Sequence, residues 1–114
     1  MASDPRELTV VYTRQADREL RDIWDWNAKE RGAMHATKYV RNLEAKISWL
    51  GTNYLSGRPV KHFPELRQLL IKQSGRGHFH IVIYEIDELG GAVYVLHVYH
   101  ERQDTQGRLA REGR

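Results

Sequence analysis

The sequence predicts an α+β fold in two layers, a helical hairpin packed on an antiparallel sheet. Three observations carry that prediction. Two neighbouring segments repeat apolar residues every three or four positions. A β-branched and aromatic run precedes them. Three further β-rich runs follow, separated by Gly-bearing turns. The order is strand, helix, helix, strand, strand, strand. With 114 residues this makes one domain, large enough to bury a core without disulfide or metal.

Residues 1–7 read as a polar leader, residues 8–100 as the domain and residues 101–114 as a polar tail, frayed or tied down by a partner. Leu8 to Thr13 forms the first strand. Thr13 then caps the first helix, and Asp17 sits near the positive end of its dipole. Ala16, Leu20, Ile23 and Asn27 mark one face, and Lys29, Arg31 and Gly32 end it. Ala36, Tyr39, Val40, Leu43, Ile47 and Leu50 mark a second helix, from about Met34 to Leu50. A link of about two residues makes the pair an antiparallel hairpin. Gly51 to Pro64 reads as loop. Leu66–Gln73, His78–Ile86 and Ala92–His100 form an antiparallel meander, and one face of that sheet must receive the helical stripe.

Composition excludes several function classes. Cysteine is absent, so there is no thiolate nucleophile and no Cys-ligated metal. No apolar run reaches the length of a membrane span, and residues 1–6 carry no apolar signal region. A cytoplasmic location is expected. Eighteen basic against fifteen acidic residues give +3, which permits an acidic partner without demanding one.

Four imidazoles fall in the strands. Alternation puts His78, His80, Val82 and Tyr84 on one face of their strand. On the last strand it groups His97 with Val93, Val95 and Tyr99, and His100 with Tyr94, Leu96 and Val98, on opposite faces. No H-x-x-x-H or H-E-x-x-H spacing is present, and neither a metal nor a cofactor is expected. A set of Arg67, His80, Tyr84, His97, His100 and Arg102 contains the residue types for metal-free RNA cleavage: a base, a cation and an acid. Any basic sheet carries a similar set. Trp24 and Trp26 lie about 200° apart on their helix, so both cannot face one core.

The chain resembles the RelE/ParE superfamily of type II toxin–antitoxin toxins, and within it the ParE-like branch. Ala16-Asp17-Arg18-Glu19-Leu20-Arg21-Asp22-Ile23-Trp24-Asp25-Trp26 is similar to the family's first helix, with Glu19 at the usual Asp position. Gly57 with Pro59, and Leu66-Arg67, resemble its loop and strand start. His80-Ile81-Val82-Ile83-Tyr84 resembles an H-x-I-x-Y strand. Leu96-His97-Val98-Tyr99-His100-Glu101-Arg102-Gln103-Asp104 resembles the family's V-R-V-L-H-G-R-x-D ending, with His97 for Arg and Glu101 for Gly.

The resemblance implies a RelE/ParE-like toxin fold. It implies a toxin neutralised by a cognate antitoxin in a hetero-oligomer, with DNA gyrase as the target. His97, His100, Arg102 and Asp104 are then the expected target contacts. Trp24, Trp26 and Tyr84 are the expected antitoxin contacts. The alternative is a RelE-like ribosome-dependent mRNA endoribonuclease using Arg67, His80, His100 and Arg102. A nuclease of that type rewards concentrated Lys and Arg on the sheet, which this chain lacks.

Overall fold

A computed structural model describes residues 6–72, 79–100 and 105–112. Strand β1 is Thr9–Tyr12, helix α1 Arg14–Arg31 and helix α2 Ala33–Ser48, followed by one 3-10 turn, Trp49–Gly51. Strands β2 (Arg58–Val60), β3 (Phe63–Lys72), β4 (Phe79–Asp87) and β5 (Ala92–His100) come next, then helix α3 (Thr105–Glu112). The sheet order is β1-β5-β4-β3-β2. The β2–β3, β3–β4 and β4–β5 pairs are antiparallel, while β1 lies parallel to β5 at one edge. No helix among the described residues is long and apolar enough to cross a membrane.

Thr13 joins sheet to helix. Its Oγ1 accepts the Ala16 N–H at 3.1 Å, and its own N–H donates to Val95 O at 3.1 Å. The helix start is thereby tied to β5 as well as capped. Gly32 is the whole link between α1 and α2, shorter than the two residues expected. Its φ of 93° and ψ of 162° lie where a β-carbon is strained, so glycine makes a one-residue reversal possible.

The helical stripe behaves as its spacing predicts. Ala16 and Leu20 of α1, with Leu43, Ile47 and Leu50 from α2 and its 3-10 turn, pack on Ile71, Val82, Tyr84, Val93, Val95 and Val98. The opposite sheet face has its own cluster of Val60, Leu66, Ile83, Leu96, Tyr99 and Leu109. Two readings change here. Part of the expected Gly51–Pro64 loop is strand β2, which pairs with β3. Part of the expected polar tail is α3, because Leu109 is fully buried in the second cluster. Burying one Leu is worth about 1.5–3 kcal/mol, enough to dock a short helix when polar contacts help.

A β-bulge corrects the face assignment. Ile83 pairs with His97 but Tyr84 pairs with Val95, so Leu96 is an extra residue on β5. Beyond it the alternation is reversed. Val98 joins Val93 and Val95 against the helices, and Leu96 and Tyr99 face the second cluster. His100 stands beside His80 on the helix side, their ring centroids 5.5 Å apart.

Tyr12, at the end of β1, has a buried hydroxyl with no hydrogen-bond partner among the described residues. Burial, then Glu44 and Asp17, pushes its phenol up to about 12. The unfolded phenol titrates near 10. Its contribution to stability is therefore complete below about pH 10 and lost as pH rises through about 12. Tyr12→Phe removes the orphan hydroxyl. We expect equal or higher stability at pH 7, by up to about 1 kcal/mol, and a growing advantage over wild type from pH 10 to 12. Urea unfolding at pH 7 and pH 11 checks this, and parallel pH profiles would refute it.

Candidate functional site

The residues singled out by sequence divide into three places. The first is the outer face of the helical hairpin. Trp26 is 65% exposed, while Trp24 is half-buried. The Trp24 indole N–H donates to Thr37 Oγ1 on α2 at 3.1 Å. The 200° separation thus resolves into one clamp between helices and one aromatic surface. Met34, at the hairpin turn, is 88% exposed. A large exposed aromatic is a feature of protein-binding surfaces.

The second place is the helix side of the sheet. His80 is buried, and its Nε2 lies 2.9 Å from the Tyr39 hydroxyl of α2. His100 is directly opposite His80 on β5. Arg67, however, stands opposite Tyr84, four residues along β4 from His80, or about 13 Å at the rise of a strand. Arg67 donates to Gly57 O at 2.6 Å and to Leu55 O at 3.3 Å, where it fastens the segment before β2. Tyr84 is fully buried. Its hydroxyl donates to Tyr54 O at 2.6 Å and accepts the Gly57 N–H at 2.9 Å. Burial raises its pKa, against the lowering effects of the Gly57 N–H and Arg67. Tyr84, expected as an antitoxin contact, thus organises the loop from within.

The third place is the β5 bulge. His97 is 2% exposed, and its Nδ1 lies 3.2 Å from Glu19 Oε2. Glu19, buried on α1, also accepts the Val98 N–H at 2.8 Å through Oε1. Glu112 of α3 accepts the Tyr99 hydroxyl at 2.7 Å and the Arg108 guanidinium at 3.1 Å. Arg108 lies over the Tyr99 ring, 5.1 Å from its centroid. Burial, then the hydrogen bond to Glu112, holds the Tyr99 phenol well above its ordinary range. His97, expected as a target contact, is enclosed between α1 and α3. Arg102 and Asp104, the remaining expected contacts, lie outside the described residues, as does His78.

Sequence reasoning missed Tyr39 as a partner of His80, Glu19 as a partner of β5, and the docking residues of α3. For α3 a signal existed: Leu109 is flanked by Arg108 and Glu112, an i,i+4 pair. For Glu19 the signal was its place in the first-helix pattern, which carries no hint that β5 is its partner.

The arrangement supplies an exposed aromatic surface and buried polar anchors. Of the groups proposed for RNA cleavage, His80 and His100 lie side by side, but the Arg67 guanidinium is engaged elsewhere on two carbonyls, and His80 and His97 are each only 2% exposed.

The pattern of known proteins agrees with this fold. The solved chromosomal ParDE toxin–antitoxin system of P. aeruginosa contains a chain matching at TM-score 0.70 and 21% identity, covering 83% of this chain and 97% of that one. A doubly substituted RelE toxin of E. coli in its free state matches at TM-score 0.57 and 12% identity, covering 95% and 99%. In sequence, the toxin ParE of Escherichia coli is 28% identical over 100 residues, 88% of this chain and 91% of that protein. The family described as the ParE toxin of the type II toxin–antitoxin system parDE matches residues 10–105. The match runs from β1 through β5, and the chain belongs to the ParE toxin family of type II toxin–antitoxin systems.

Proposed function

We propose that this ParE-type toxin inhibits DNA gyrase by protein binding and is neutralised by a cognate antitoxin, acting in the cytoplasm. The family match over residues 10–105 carries the reading. Burial of His80 and His97, and the use of Arg67 on two carbonyls, supports binding over RNA cleavage. Trp26 is the proposed antitoxin anchor, while Trp24, on another side of the helix, fixes the helix pair. A basic chain suits an acidic antitoxin segment that folds as it binds. His100, Arg102 and Asp104 are the proposed target contacts. Tyr84 and His97 act on these surfaces from inside, by holding the loop and the bulge.

The test is plasmid supercoiling by purified gyrase, with and without the folded chain. Loss of supercoiling with trapped cleaved DNA is the expected result. Full supercoiling in the presence of demonstrably folded protein would overturn the reading and direct attention to mRNA cleavage on the ribosome. In the same assay, the cognate antitoxin is expected to restore supercoiling. The Trp26→Ala toxin should need about tenfold more of it, since anchor residues at interfaces cost 1–2 kcal/mol or more when truncated.

A further inference from the structure

Three elements far apart in sequence meet at the β5 bulge. Glu19 comes from α1, His97 from β5 and Glu112 from α3, and one ligand atom from each lies within 4.8 Å of the other two. We propose that these residues bind a divalent transition metal, zinc by ligand type, which staples α3 to the body of the protein.

The geometry fits a tetrahedral ion. Zinc bonds to imidazole nitrogen and carboxylate oxygen are about 2.0–2.2 Å, which sets neighbouring ligand atoms about 3.3–3.6 Å apart. His97 Nδ1 is 3.2 Å from Glu19 Oε2 and 3.8 Å from Glu112 Oε1. The 3.8 Å separation closes by a few tenths of an ångström on the Glu112 side, and all three ligand atoms already lie within 4.8 Å of one another. Glu112 is the member with room to move, since it is about a third exposed on a short helix while Glu19 and His97 are held in the interior. Three protein ligands leave a fourth position for water.

The surroundings already orient the two carboxylates. The Val98 N–H holds Glu19 Oε1, and the Gln15 amide donates to Glu19 Oε2 at 3.1 Å. Arg108 holds Glu112 Oε2, and the Tyr99 hydroxyl donates to Glu112 Oε1. Such outer contacts are what fix carboxylates around a metal. The bulge aims His97 at this point, as bulges commonly re-aim a side chain. The charges agree too. Two carboxylates converge here around one imidazole, and Arg108 pairs with the Glu112 carboxylate. On binding, the ion takes the Nδ1 lone pair, the ring proton resides on Nε2, and the site gains two positive charges beside two negative ones. A hard ion such as magnesium is disfavoured, because it prefers oxygen ligands and retains its waters.

The experiment is calorimetric titration of zinc chloride into the full, tag-free, chelator-stripped chain, with magnesium chloride as control. One zinc per chain is expected, with magnesium silent. Glu112→Gln keeps an oxygen for the Tyr99 hydroxyl but weakens ligation, and should lower zinc affinity about 100-fold, the upper end of the loss that outer-contact mutations produce. His62→Gln, at an exposed site, should leave affinity unchanged. Cobalt(II) added to the wild-type chain gives a second readout, visible absorption of a tetrahedral site, that needs no variant. Zinc binding that survives Glu112→Gln, or a wild-type chain that takes up neither zinc nor cobalt, would overturn the site and leave the triad as a metal-free ion network.

Discussion

Gly57→Ala is expected to destabilise the protein by about 2–3 kcal/mol, with a fall of roughly 10–20 °C in Tm. A β-carbon at position 57 would stand 2.5 Å from the Tyr84 hydroxyl and 2.7 Å from the Gln68 carbonyl oxygen. The first contact is a buried side chain and the second is backbone, so neither yields cheaply. The clash also displaces a hydroxyl that serves two backbone groups, Gly57 N–H and Tyr54 C=O. Tyr84→Phe removes that hydroxyl without overpacking and should cost about 1–3 kcal/mol. The two changes act on one contact, so the double variant should lose less than the sum. Thermal unfolding followed by circular dichroism measures all three. A Gly57→Ala protein melting within two or so degrees of wild type would show that the loop has room this structure denies it.

Glu19→Ala should cost about 3 kcal/mol in chelator-treated protein, read by urea unfolding. Its carboxylate is the acceptor for the Val98 N–H and the partner of His97 Nδ1, both in the interior. Removing it strands two buried polar groups at about 1–3 kcal/mol each, offset in part by water entering the gap. Glu19→Gln keeps an acceptor oxygen for Val98 and should cost about 1 kcal/mol. Equal losses for both variants would mean that the charge, rather than the hydrogen bond at the bulge, is what matters. The prediction concerns folding alone, so it stands whether or not a metal occupies the site.

These two expectations start from residues that sequence patterns had already picked out, yet for other reasons. Gly57 stood out as part of a loop pattern beside Pro59, and Glu19 as the acid of the first-helix pattern. Neither pattern says what the residue touches. Gly57 needs a bare α-carbon because Tyr84, on β4, reaches under the loop. Glu19 needs an acceptor oxygen because β5 presents the Val98 N–H to α1.

Local chemistry determined much of the architecture. Helical apolar spacing, the Thr13 cap, the Gly32 stop and the Gly-bearing turn before β5 are interactions between near neighbours, so they are written in consecutive residues. They suffice for a helical hairpin on a meander, and the ordered motifs suffice for the family. Tertiary structure decided the rest. The parallel pairing of β1 with β5 depends on where the hairpin returns the chain. The extra residue Leu96 reverses the faces of Val98, Tyr99 and His100, because side-chain alternation has a period of two and one insertion inverts it. The burial of His80, His97 and Tyr84, the exposure of Trp26 and the docking of α3 through Leu109 are set by contacts between distant segments. A periodic pattern shows which faces are apolar. Which partner covers each face, and which polar group is caught beneath, is a property of packing in three dimensions.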